Sequence, residues 1–295
     1  MRLFEFVSFC LISSAFCQTS NILDVAKQLG ATTLLELVND AGITDVLTVG
    51  DPLTLFAPSN EAFSNLPASV LAELRNDKQL LADVLKYHVL NGKVFSTMLA
   101  DELVVPTLLD GSISRVNIYQ QGQVVTYNGC QITTSDQNAT NGVVHLISKV
   151  ELPPNGTVVD AAKRDAKLST LWKAIVAAGL MNILAGPVPR PLTLFAPTDD
   201  AFNALPPGTL DALLNDKSAL IDLLTYHAVN GTYYSVGLTS GTYSTVEGKS
   251  VTIAVDTSGI TVNDAKVTTA DVPGTNGVLH VIDKVLTLPS SFRFQ

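Results

Sequence analysis

Hydrophobic residues along this chain follow a helical period in some segments and a strand period in others. Those between residues 34 and 38 lie at helical spacing before Gly42, and those between 80 and 85 form a second stripe that we expect to end at Asn91-Gly92. Residues 250–262 alternate between hydrophobic and polar on either side of a turn, which is typical of two paired strands. The pattern predicts a mixed α and β fold.

A ten-residue block occurs twice. Residues 54–63 (TLFAPSNEAF) recur as residues 193–202 (TLFAPTDDAF), at an offset of 139 residues (193 − 54) that holds to Ser96 and Ser235. A repeat of this length is far too long for a solenoid unit. The sequence therefore predicts a duplicated whole domain.

Shorter matches place the limits of the two copies. We expect a first domain over residues 18–153, a second over residues 154–289 and a short tail over residues 290–295, with the linker at Pro153-Pro154-Asn155-Gly156. The flanking matches are Ala41-Gly42-Ile43 with Ala178-Gly179-Leu180, and Asn141-Gly142-Val143-Val144-His145 with Asn276-Gly277-Val278-Leu279-His280.

Each repeated block predicts a strand followed by a helix. Thr54-Leu55-Phe56-Ala57 has the composition of a short apolar strand. Ser59 in the first copy and Thr198 in the second can then cap a helix through their hydroxyl groups. The acidic residues of the next turn suit the positive end of the helix dipole.

Three segments of each copy resemble the signature segments of the fasciclin-type (FAS1) domain family. They are the Thr-Leu-Phe-Ala-Pro block, the pairs Tyr87-His88 and Tyr226-His227, and the Asn-Gly-Val block that ends at His145 and His280. The resemblance implies an α+β fold, with two tandem domains that are each a wedge-like β-sandwich with a bundle of short helices. It also implies an extracellular protein of cell adhesion and matrix assembly, without a known catalytic site.

Composition and charge narrow the classes of partner. Hydrophobic residues make up 46% of the chain and charged residues 15%, which is typical of a packed globular protein. The net charge is −9, so a nucleic acid is not expected as a partner, because it requires clustered Lys and Arg.

The first residues predict export from the cell. Arg2 precedes an apolar stretch, and the small residues Ala15 and Cys17 suit a signal peptidase, so we expect a signal peptide over residues 1–17 and cleavage before Gln18. No segment after it is long and apolar enough to span a bilayer, and residues 288–295 lack the hydrophobic tail of a GPI signal. We expect a secreted, extracellular protein without membrane insertion.

Cysteine and asparagine patterns fit secretion. Removal of the signal leaves Cys130, which cannot form an intrachain disulfide. We expect it to be a buried packing residue in a strand, and the alternative is a disulfide to another chain. The other copy has Ala265 at the matching position. Three Asn-X-Thr sequons make Asn138, Asn155 and Asn230 candidate glycosylation sites.

The chain shows few candidates for chemistry. Its four histidines, His88, His145, His227 and His280, occupy equivalent positions in the two copies, and none has another Cys or His within metal-ligand spacing. We expect them to be core or half-buried residues whose nitrogens bond to the backbone. The chain has no Gly-X-Ser-X-Gly nucleophile motif and no glycine-rich phosphate loop. We therefore expect no enzyme activity, no catalytic or metal site and no cofactor.

The Tyr-His pairs are the candidate partner-binding residues. Tyr87 and His88 lie on or beside the apolar face of a helix, as do Tyr226 and His227, so packing alone would account for them. The family resemblance implies the other interpretation, since this segment is implicated in integrin binding in some members. Two functions remain open: adhesion to a cell-surface receptor or matrix protein, and binding of a carbohydrate or small apolar ligand in a cell coat or mineralised matrix.

Overall fold

A computed structural model describes residues 20–185 and 191–288 of the chain. The expected signal peptide, its cleavage site before Gln18 and the expected tail over residues 290–295 lie outside the described residues. Within the described ranges, no helix has both the length and the apolar character needed to cross a bilayer.

The first copy of the repeat, which we call domain 1, opens with helices and closes with strands, as its hydrophobic pattern predicts. Its helices are α1 (Ile22–Gln28), α2 (Thr32–Ala41), α3 (Thr44–Thr48), α4 (Asn60–Ser64), α5 (Ala68–Asn76) and α6 (Lys78–Tyr87). Its strands are β1 (Leu53–Pro58), β2 (Val89–Asn91), β3 (Leu103–Pro106), β4 (Ile113–Tyr119), β5 (Val124–Tyr127), β6 (Cys130–Ala139) and β7 (Gly142–Ile147).

The strands of domain 1 form one bent sheet in the order β2-β1-β7-β6-β5-β4-β3. Strand β1 pairs in parallel with β7, whereas the other neighbours are antiparallel. The long strand β6 has register shifts after Ile132 and after Thr134, and such bulges bend a strand. The two halves of the sheet thus enclose one apolar cluster, in which Phe56 of β1 stacks on Tyr127 of β5 at 3.9 Å between ring centroids.

The other face of the sheet carries the helices. Leu55 lies next to Phe56 on β1, and because successive strand residues point to opposite faces, Leu55 packs against the helices instead. Leu34 and Leu37 of α2 and Leu81 of α6 join it in this second core. The α+β architecture predicted from the sequence is therefore confirmed.

The second copy, which we call domain 2, repeats this architecture with the sheet order β10-β11-β12-β13-β14-β8-β9. Its helices are α7 (Val158–Arg164), α8 (Ser169–Ala178), α9 (Met181–Leu184), α10 (Asp199–Asn203), α11 (Thr209–Asn215) and α12 (Lys217–Tyr226). Its strands are β8 (Leu192–Pro197), β9 (Ala228–Asn230), β10 (Gly241–Ser244), β11 (Ser250–Asp256), β12 (Gly259–Val262), β13 (Ala265–Gly274) and β14 (Gly277–Ile282).

Two local expectations have different outcomes. Ser59 and Thr198 cap α4 and α10 by accepting a backbone N–H, as predicted. The predicted end of α6 at Asn91-Gly92 is wrong, because the helix ends at Tyr87 and the next residues form β2. The reason is tertiary: β2 pairs antiparallel with β1, and the backbone carbonyl of His88 accepts a hydrogen bond from Phe56 at 2.9 Å.

Candidate functional site

The four residues of the Tyr-His pairs are buried. Each keeps only 1% of its surface exposed: Tyr87, His88, Tyr226 and His227. They lie at the ends of α6 and α12, where each chain turns from the helix into the sheet. A partner cannot contact these side chains in the folded protein, so any binding through this segment uses the exposed residues around them.

The buried tyrosines tie the helices to the sheet. The Tyr87 hydroxyl donates to the carbonyl of Ile113 in β4 at 3.2 Å and accepts from the Asn128 amide at 3.1 Å. Domain 2 repeats the arrangement with Tyr226, Ser250 and Asn263. Burial is the main cause that raises the pKa of Tyr87 well above its usual value. Sequence reasoning did not single out Asn128 and Asn263 as partners, although both stand at the same position of the repeat.

The histidines of these pairs are held neutral by the backbone. Nδ1 of His88 donates to the carbonyl of Val84 at 2.7 Å, and Nε2 accepts the backbone N–H of Glu151 at 3.0 Å. A proton on Nε2 would point at the Glu151 N–H and break this hydrogen bond. Burial also disfavours the charged ring and lowers the pKa of His88 to about 4. His227 has the same geometry and a pKa also lowered to about 4 by burial, with Leu223 and Leu286 as its partners.

The other two histidines also bond to the backbone. His145 accepts the N–H of Asp136 at 3.3 Å and donates to the carbonyl of Val94 at 2.9 Å. His280 is bonded in the same way, by Asp271 and Tyr233. All four histidines are thus satisfied by backbone groups, as predicted. In the described part of the chain, no three His, Cys, Asp or Glu side chains gather as metal ligands.

A serine and an aspartate lie beside His145 and beside His280, but they do not form a catalytic triad with the histidine. The Ser96 hydroxyl bonds to the carboxylate of Asp136, and Ser235 bonds to Asp271 in domain 2. A triad requires the histidine to take the proton of the serine and the aspartate to hold the histidine. Here His145 meets the backbone of Asp136 and no serine hydroxyl. The cluster therefore ties the segments that follow β2 and β9 to strands β6 and β13 rather than activating a nucleophile.

Cys130 begins strand β6 and is fully buried, as predicted. Its thiol donates to a side-chain carboxyl oxygen of Glu151 at 2.8 Å. Burial raises the pKa of Glu151 to about 8, so this carboxyl is protonated at neutral pH. The thiol pKa is also raised by burial, which leaves Cys130 an inert packing residue.

The three sequon asparagines lie at exposed positions: Asn138 in β6, Asn155 in the linker and Asn230 at the end of β9. The third sequon differs from the others because its threonine, Thr232, is only 2% exposed. Thr232 lies in the contact between the two domains.

Polar side chains of domain 1 bind the main chain of domain 2 across an interface that sequence reasoning missed. A carboxylate oxygen of Glu102 accepts the backbone N–H of Thr232 at 2.7 Å, and the other pairs with Arg115 at 2.8 Å. The Tyr119 hydroxyl donates to the carbonyl of Thr232 at 2.8 Å and accepts the N–H of Tyr234 at 3.2 Å. The Arg115 side chain is 7% exposed, so this is a largely buried ion pair.

Two glycines allow the domains to approach closely. Gly129 faces the ring of Tyr234 and Gly237 faces the ring of Tyr119, so a Cβ atom at either position would overlap the ring. The second copy has Asp264 where the first has Gly129, and this difference between the copies was the available sequence signal. Glycines are so common in turns that the difference alone could not predict an interface.

An apolar groove lies between α5 and α6 of domain 1. It has a volume of about 390 Å³, and its lining includes Val70 and Leu80 of these helices and Leu152 near the linker. Leu152 is 37% exposed, and Val70 and Leu80 are half-buried. The groove runs beside α6, the helix that ends at Tyr87. A partner can therefore reach the groove, although it cannot reach the side chains of Tyr87 and His88.

Known proteins resemble this chain over most of its length. Human periostin is 33% identical over 267 residues, which cover 90% of this chain and 32% of periostin. Transforming growth factor-beta-induced protein ig-h3 of Sus scrofa is 34% identical over 243 residues, which cover 81% of this chain and 35% of that protein. The chain thus spans about a third of the length of these relatives.

A solved structure and a family model add to the comparison. A FAS1 domain pair from the insect cell adhesion molecule fasciclin I is 23% identical, with a TM-score of 0.42, and the match covers 88% of this chain and 98% of that one. The family model of the fasciclin domain matches residues 29–153 and 166–289. This chain therefore belongs to the fasciclin family and contains two tandem fasciclin domains.

Proposed function

We propose that this chain is a secreted, non-enzymatic adhesion protein that binds a cell-surface receptor or a matrix protein. Membership of the fasciclin family supports the adhesive role. The signal-like residues 1–17 support secretion. The histidines support a function without catalysis, because both ring nitrogens of each one already bond to the backbone and neither can act as a base.

The apolar groove on domain 1 is the observation that carries this proposal. It combines half-exposed aliphatic side chains with two carboxylates at its edge, Glu73 and Asp83, in a concave surface large enough for side chains of a partner. Tyr87 is the last residue of α6 and His88 follows it, and because both side chains are buried, they act by holding α6 in place. In this proposal the partner contacts the groove, and the Tyr-His pair holds the helix that lines the groove.

Differences between the copies favour domain 1 as the domain that contacts the partner. Val70 and Leu80 correspond to Thr209 and Ala219 in domain 2, which are smaller or more polar.

The test exchanges groove residues between the copies. The substitutions Val70→Thr and Leu80→Ala give domain 1 the residues that domain 2 already has, so the helices should still form. We expect adhesion of cells to the immobilised full chain to fall about fivefold or more, because the two substitutions remove apolar surface that the partner would bury, at about 0.8 kcal/mol for each buried CH₂ group.

The matched control is Val46→Thr, which changes a side chain on α3 that is 46% exposed and lies outside the groove. It should leave adhesion unchanged. If Val46→Thr and the two groove substitutions reduce adhesion equally, or if none does, the groove is not the contact surface. Unfolding curves of every variant establish that the chain remains folded.

A further inference from the structure

A cleft of about 360 Å³ opens at the edge of the interface between the domains. Domain 1 contributes Asp101, Glu102 and Tyr119, and domain 2 contributes Tyr233 and Tyr243. The cleft therefore exists only while the two domains are in contact. Its size is within the usual range of ligand sites.

The aromatic walls of this cleft are fixed in place. The rings of Tyr233 and Tyr243 meet edge to face, with 4.9 Å between centroids and 85° between planes, so they form a corner. The Tyr243 hydroxyl is held by the backbone N–H and carbonyl of Thr239, at 3.1 and 3.0 Å. The Tyr119 hydroxyl is held by the backbone of Thr232 and Tyr234. A ligand would meet rings that need no rearrangement.

The charge of the cleft is negative. None of the described residues that line it is Lys, Arg or His. Arg115 balances the charge of Glu102 from behind, at 2.8 Å, whereas Asp101 is exposed and uses one carboxylate oxygen to accept the N–H of Ile118 at 2.9 Å. The pKa of Tyr233 is raised, first by burial and then by its neighbours Tyr243, Glu102 and Asp101. The two carboxylates among them are consistent with a negative field at its ring.

We propose that this cleft binds an arginine side chain from a basic segment of a partner protein. A guanidinium group is planar, stacks on aromatic faces and donates hydrogen bonds to carboxylates, so both the tyrosine corner and Asp101 suit it. The net charge of −9 also attracts a basic segment from a distance. This site is separate from the groove on domain 1, so either proposal can fail while the other holds.

The test measures binding of a dye-labelled peptide that alternates arginine with glycine, by fluorescence anisotropy. The twin peptide has citrulline, which is neutral and nearly the same shape, in place of every arginine. The protein is the full chain with Asn230→Gln, which removes any glycan at the nearby sequon. We expect the arginine peptide to bind, the citrulline peptide to bind about tenfold more weakly or worse, and binding to weaken as salt rises from about 0.05 to 0.5 M.

Variants separate the cleft from general attraction by an acidic protein. Asp101→Asn keeps the oxygen that accepts the Ile118 N–H and removes the charge, and Tyr233→Leu removes the ring, so each should weaken binding about tenfold. Tyr233→Phe should bind normally, as should Asp40→Asn, which removes an exposed charge on α2. Equal binding of the two peptides, equal effects of Asp101→Asn and Asp40→Asn, or displacement of the peptide by a neutral oligosaccharide would each overturn the proposal.

Discussion

Removing the Glu102 side chain should loosen the contact between the two domains. In Glu102→Ala the Arg115 guanidinium, whose side chain is 7% exposed, loses its partner, and the Thr232 N–H loses an acceptor at 2.7 Å. Truncating one partner of a buried ion pair costs about 3–5 kcal/mol. Because the Glu102 side chain is 27% exposed, water compensates in part, and we expect a loss of about 2–3 kcal/mol in the free energy of unfolding.

The backbone at this position supplies a second comparison. Glu102 has φ +57°, in the left-handed region that a glycine occupies without strain. Glu102→Gly removes the same contacts as Glu102→Ala but relieves about 1 kcal/mol of backbone strain, so it should cost less. Glu102→Gln keeps a side-chain oxygen that can accept the Thr232 N–H, so the hydrogen bond to Thr232 should survive. The charge of Arg115 loses its partner, as it does in the other two variants.

Urea unfolding followed by tryptophan fluorescence measures the effect. The chain has one tryptophan, Trp172, which lies in domain 2, so its fluorescence reports the unfolding of that domain. A substitution at Glu102, in domain 1, should therefore lower the midpoint of a transition seen in domain 2. Glu36→Ala, an exposed change on α2, should not move it. A shift below about 0.5 kcal/mol in Glu102→Ala would refute the reasoning that this ion pair couples the domains.

Two other predictions concern pH and glycosylation. Because the pKa values of His88 and His227 are lowered to about 4, the unfolded chain binds their protons first, so each residue should cost roughly 2–3 kcal/mol of stability as pH falls from 7 to 4.5. The pKa of Glu151 is raised to about 8, so the folded chain binds this proton more tightly and gains stability as pH falls over the same range. Glu151→Gln lacks this gain and should therefore lose more stability than the natural chain in urea unfolding. An equal loss would contradict the raised pKa. Asn230→Gln and Thr232→Ala both remove one sequon, and the mass of the secreted protein should fall equally if Asn230 carries a glycan. Thr232→Ala alone should also destabilise the chain, by about 1 kcal/mol, because its hydroxyl bonds to Glu102 at 3.3 Å; equal unfolding midpoints would contradict this.

The candidate site was only partly predictable. The sequence identified the Tyr-His pairs and left two interpretations, packing and partner contact. The structure places all four side chains in the core, so packing accounts for them, and partner contact through this segment stays a prediction about its exposed surroundings. The helix pattern could not decide this, since Tyr87 and His88 follow the apolar stripe of α6 and their burial depends on β4 and on the segment that contains Glu151.

The sequence alone determined the repeat, because aligning the chain with itself shows it directly. It also determined the caps at Ser59 and Thr198 and the alternation of the strand segments, because these depend on residues close together in the chain. The end of α6 and the contact between the domains were decided by tertiary structure. Strand β2 exists because β1 pairs with it, and Glu102 bonds to Thr232 across 130 residues of sequence. Such contacts have no periodic signature, since each depends on the path of the whole chain and on two surfaces that meet only after both domains have folded.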